Sequence, residues 1–96
     1  MGATTFCNRQ AGSTAQQAFK AAREEALYDH GHSGYSGTIA EKSKFVMISV
    51  PEGEIAMNYA WKLIDEGDAR VDDKWGPAGC IDEGDGNYLF FGWASE

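Results

Sequence analysis

The chain has 96 residues, with 8 Lys+Arg against 15 Asp+Glu and a formal net charge of −7. That length bounds it to one domain, residues 1–96, with one core. A 43% hydrophobic fraction with 5 Phe, 4 Tyr and 3 Trp excludes a disordered chain. The acidic balance argues against direct nucleic-acid binding, which needs clustered Lys and Arg, and 2 Cys are too few for a disulfide-stapled mini-domain.

In chain order, Thr4–Cys7 reads as a strand that ends in a polar stretch and Gly12. Ser13 or Thr14 is the expected N-cap of a first helix, with Ala15, Ala18, Phe19, Ala22 and Ala26 at helical spacing and Gly31 and Gly34 marking its end. Two alternating runs follow, Tyr35–Ile39 and Phe45–Val50. They are read as neighbouring strands joined by a polar hairpin turn, Glu41-Lys42-Ser43-Lys44. The second run is apolar on both sides, as a central strand would be. Pro51-Glu52-Gly53 breaks it, and a second helix carries Ala56, Ala60, Leu63 and Ile64 on one stripe and stops at Gly67. Ala78–Ile81 and Asn87–Ala94 then pair as a C-terminal hairpin across Glu83-Gly84-Asp85-Gly86.

This order predicts an α+β fold. The expected form is a two-layer sandwich in which an antiparallel sheet of four or five strands carries both helices on one face, in a βαββαβ, ferredoxin-like layout. In the last strand Leu89, Phe91 and Trp93 alternate with Tyr88, Phe90 and Gly92. One of those faces would then need a loop, a partner or a second copy of the chain to cover it.

The residues that could carry chemistry are few. His30 and His32 with Cys7 and Cys80 match a zinc ligand set by type, but neither Cys belongs to a Cys-x-x-Cys pair, so no metal and no cofactor is expected. A small hydrolase or transferase using Cys80 or His32 is one alternative and would require a thiol of lowered pKa. The glycine-rich stretch 31–38 has phosphate-loop ingredients but runs from helix into strand, the reverse of nucleotide motifs. It suggests instead a pocket for a nucleotide or other small molecule built from Tyr35, Ser36, Thr38 and Trp75.

The strongest signal is the charge distribution. Residues 1–48 sum to +1, whereas residues 49–96 hold 11 acids against 3 bases and sum to −8. Asp65, Glu66, Asp68, Asp72, Asp73, Asp82, Glu83 and Asp85 fall close together beside Trp75 and Trp93. The run 82–86 misses the EF-hand register and has Trp93 in place of the bidentate glutamate. Acidic loops next to aromatic anchors are the composition of a surface that steers toward a basic protein partner and holds it.

Three blocks, Gly34-Tyr35-Ser36-Gly37-Thr38-Ile39-Ala40-Glu41-Lys42, Asp73-Lys74-Trp75-Gly76-Pro77-Ala78-Gly79 and Phe90-Phe91-Gly92-Trp93-Ala94-Ser95, resemble a family of small uncharacterised proteins of bacteriophages and related mobile elements. The resemblance implies a viral accessory protein acting in host cytoplasm. It implies no catalytic residues. The function expected from residues and resemblance together is a small acidic, non-enzymatic protein that binds and inhibits or sequesters a host protein such as a nucleic-acid-binding or defence protein. A cytoplasmic location also fits the absence of a leader-like segment or an apolar run near the ~20 residues that span a bilayer.

Overall fold

The computed structural model describes residues 2–31 and 34–96. It is a small α+β protein with a four-stranded mixed sheet and two helices: β1 (Ala3–Ala11), α1 (Ala15–His30), a 3₁₀ turn (Ile39–Glu41), β2 (Phe45–Met47), α2 (Ala56–Glu66), β3 (Ala78–Gly84) and β4 (Asn87–Ser95). The sheet order is β1-β4-β3-β2.

Both helices form where their spacing and caps require. Thr14 Oγ1 accepts from the Gln17 amide at the start of α1, and Gly31 closes its end with an N–H to the Leu27 carbonyl. At the end of α2, Gly67 takes the left-handed conformation (φ +68°) and donates to Ile64 and Leu63. Asp85 and Gly86, both at positive φ, make the two-residue turn between β3 and β4.

The sheet departs from the expected layout in three ways. First, β2 and β3 run parallel, while β1/β4 and β3/β4 are antiparallel, so the sheet is mixed. The α2 crossover between β2 and β3 is what permits parallel neighbours. Second, β2 is a three-residue edge strand with Met47 exposed, not a long central one. Third, Tyr35–Ile39 forms no strand. Gly34, Tyr35 and Gly37 all have positive φ, and Thr38 caps the 3₁₀ turn that drops Ile39 into the core. Gly37 is required there, because a Cβ would stand 2.6 Å from Thr4 Cγ2 and its φ is +72°.

The helices also occupy opposite faces of the sheet rather than one. Phe6, Ala78, Cys80, Phe90 and Ala94 pack with Ala18, Phe19 and Ala22 of α1. Ile81, Leu89 and Phe91 pack with Ala60, Leu63 and Ile64 of α2 and with Val71. Alternate residues of β3 and β4 thus feed two cores, as the period of two dictates. The double-sided aromatic run of β4 needs no partner to cover it. Phe90 lies among Phe19 and Phe45 at ring separations of 5.6 and 5.8 Å on one side, and Phe91 is fully buried on the other. No helix among the described residues is long and apolar enough to cross a membrane.

Candidate functional site

The segment before β3 is held by a buried lysine. Lys42 is 1% exposed, and its ammonium donates to the carbonyls of Asp73 (3.2 Å), Lys74 (3.2 Å) and Gly76 (2.9 Å). All three of its protons are therefore used, which is what a buried ammonium needs to stay charged. Burial pushes the Lys42 pKa down, and the nearby Asp73 carboxylate opposes that shift. The loop tightens on itself as well: Trp75 N–H donates to Asp73 Oδ1 at 2.8 Å and Gly76 N–H to the Asp73 carbonyl at 2.9 Å.

Trp75 rides on this clamped turn and is 63% exposed. Tyr35, 50% exposed, meets it edge-on at 6.3 Å, and Lys74 Nζ lies 5.4 Å from its ring centroid. Tyr35 sits at φ +54°, a conformation that costs a side-chain-bearing residue roughly 1 kcal/mol or more. It is kept there by Glu41, whose Oε2 accepts from the Ser36 amide (3.1 Å) and hydroxyl (2.8 Å). Partial burial pushes the Glu41 carboxyl up, but the Ser36 hydroxyl and amide, the Tyr35 amide and the Arg23 charge outweigh it and hold it below the ordinary range. Two aromatic rings are thus presented on well-anchored backbone.

The eight acids do not form one patch. Because α2 runs back against β2, its C-terminus returns to the end of the sheet where β3 begins. Asp65, Glu66, Asp68, Asp72 and Asp73 belong to that end, with Trp75. Asp82, Glu83 and Asp85 belong to the far half of β3 and its turn, about 13 Å or more along the strand from its start at Ala78. Two of the eight are neutralised by arginine: Glu83 binds Arg9 at 2.6 and 2.9 Å, and Asp68 binds Arg70 at 2.9 and 3.0 Å. Around Trp75, Asp72 and Asp73 are exposed and carry no ion pair among the described residues. Trp93 is half-buried against the α2-side core, in the cluster that also holds Val71.

The other candidate groups are placed apart from this pair or are already engaged. Tyr35 and Trp75 come together as a small-molecule site would need. The Ser36 hydroxyl, however, is committed to Glu41 and to Thr38 Oγ1 (2.7 Å), and Thr38 Oγ1 accepts from the Ala40 amide. Cys7 faces α2, with its thiol 3.3 Å from Met57 Sδ, while Cys80 is buried under α1, so the sheet separates the two. Burial pushes the Cys7 thiol up to about 11 and the Cys80 thiol up to about 12, so both are protonated at neutral pH and poor nucleophiles. His30 is exposed at the end of α1, and His32 lies outside the described residues.

Lys42 and Glu41 were hidden in the sequence by their polar neighbours. In a 3₁₀ turn residues i and i+3 eclipse, so Lys42 follows Ile39 toward the interior. Comparison of the chain with family models, curated proteins and solved structures finds no match.

Proposed function

We propose that this chain is a small, non-enzymatic protein-binding module whose contact surface is the Trp75–Tyr35 pair flanked by Asp72 and Asp73. Following the resemblance of its three sequence blocks to phage and mobile-element accessory proteins, its partner is a host protein with a basic surface, such as a defence factor, which it inhibits or sequesters. The observation that carries this reading is a tryptophan 63% exposed on a turn fixed by three hydrogen bonds from a buried lysine. Large exposed aromatics on rigid backbone lose little entropy on binding and dominate interface energetics. The adjacent carboxylates supply steering toward positive charge.

The separation of the acids gives a direct test. Capture from bacterial lysate is compared for the parent chain, for Asp72→Lys/Asp73→Lys and for Asp82→Lys/Asp85→Lys. The reading requires one recurring protein that the first pair of substitutions loses and the second retains. Equal loss with both pairs would mean that net charge, not this surface, does the binding.

A further inference from the structure

The sheet has two edges, and they are treated differently. On one side β2 is only three residues long. On the other, β1 pairs with β4 without interruption from Ala3 to Ala11 and has no neighbour beyond it. It contains no proline, lysine or bulge, the usual devices that stop an edge from accepting another strand.

The ladder fixes which groups lie on the open side. Gly2 O accepts from Glu96 N–H, and Gly12 N–H donates to Gly86 O, so the even-numbered residues between them face β4. The outward N–H and C=O groups therefore belong to Ala3, Thr5, Cys7, Arg9 and Ala11. None of them has a protein hydrogen-bond partner among the described residues.

Beside this edge, α1 forms the wall of a groove of about 350 Å³ lined by Thr5 to Gln10 and by Ala22, Glu25, Ala26, Asp29 and His30. Its charge is one-sided. Arg9 is already bound to Glu83, whereas Glu25 and Asp29 are exposed and without an ion pair among the described residues. As an i,i+4 pair they stand about 6 Å apart along the helix. Alternate residues of an extended strand stand about 7 Å apart, so two cations at positions k and k+2 of an incoming strand match that spacing.

We propose that the β1 edge docks an extended basic peptide segment of a partner protein as a fifth strand. Its backbone pairs with Thr5, Cys7 and Arg9, and alternate Lys or Arg side chains reach Glu25 and Asp29. Gly37 to Ile39 also line the groove but neither Tyr35 nor Trp75 does, so Trp75→Ala removes none of its lining residues and the two readings are tested by different substitutions.

The probe is a labelled nine-residue peptide of alternating Lys and Thr. It is titrated against the full chain by fluorescence anisotropy and by amide NMR, beside an alternating Glu/Thr peptide and a Lys/Thr peptide N-methylated at every residue. The expected result is saturable binding of the Lys peptide with shifts at the Thr5, Cys7 and Arg9 amides. Glu25→Gln/Asp29→Asn should weaken it at least tenfold, and neither control peptide should bind comparably. Equal binding of the fully N-methylated peptide, in which both backbone edges are blocked, would reduce the interaction to charge alone and overturn strand addition. No binding of the Lys peptide at millimolar concentration would overturn it too, as would a sedimentation dimer abolished by Thr5→Pro, which would show that a second copy takes the edge.

Discussion

Lys42 Nζ donates to the Gly76 carbonyl across 2.9 Å, joining the 3₁₀ turn after residue 38 to the loop that carries Trp75. With its bonds to Asp73 and Lys74, this one side chain makes two irregular segments a single unit. Neither segment has a sheet ladder to hold it, so the lysine takes that role.

Replacing Lys42 with Met keeps volume and removes all three donors. The loss should be about 2 kcal/mol, the scale of leaving buried carbonyls unpaired, offset in part by no longer burying a charge. The loop should also loosen, so that trypsin cleaves after Lys74 at least tenfold faster than in the parent chain under native conditions. Unchanged urea stability together with unchanged cleavage would show that the clamp is dispensable.

Gly79 lies where a Cβ would stand 2.6 Å from the Phe91 ring. Gly79→Ala should destabilise by roughly 1–3 kcal/mol through overpacking. Adding Phe91→Leu should recover part of that loss relative to the sum of the single changes, because the two sites touch. Strict additivity in a double-mutant cycle would contradict the contact.

Both thiols should be inert in the folded chain. With Cys7 raised to about 11, only about one molecule in a thousand is thiolate at pH 8, against about a quarter for a free cysteine. Iodoacetamide labelling of Cys7 should be at least a hundredfold slower than that of free cysteine, and Cys80 should label only on unfolding. Rapid native labelling of either would revive nucleophilic chemistry.

Asp68 accepts from the Arg70 side chain and backbone, which hold its carboxyl at about 2, below the ordinary value near 4. Its folded pKa is depressed. The stability it adds is therefore present in full above pH 4 and fades as pH falls through 2. Arg70 is exposed and Asp68 only partly buried, so solvent screening keeps the effect within about 1 kcal/mol. Urea midpoints between pH 5 and pH 2 should fall more steeply for the parent than for Asp68→Asn, and parallel curves would remove the linkage.

The sequence made the locally determined parts legible. The alanine stripe of α1 and the Gly67 stop of α2 match the expectation, the cap falls on Thr14 of the two candidates Ser13 and Thr14, and the turn expected over Glu83–Gly86 narrows to Asp85-Gly86, because each depends on residues within one or two turns of chain. What was misread is non-local. Alternation in Tyr35–Ile39 looked like a strand, but positive φ at three of its neighbouring positions and the Glu41–Ser36 bonds fold it into a loop. The double-sided apolar pattern of β4 was visible, yet it does not say whether a helix or a partner covers the second face. Acids close together in sequence suggest one surface, whereas the length of β3 carries three of them away from the others.

The most direct test of the Trp75 surface is calorimetric titration of the purified captured partner into the parent chain and into Trp75→Ala. Trp75 is exposed, so its removal should leave the thermal midpoint nearly unchanged. The affinity should weaken about thirtyfold or more, the scale of an interface anchor near 2 kcal/mol. An affinity equal to that of the parent, in a variant that folds equally well, would contradict the proposed contact surface.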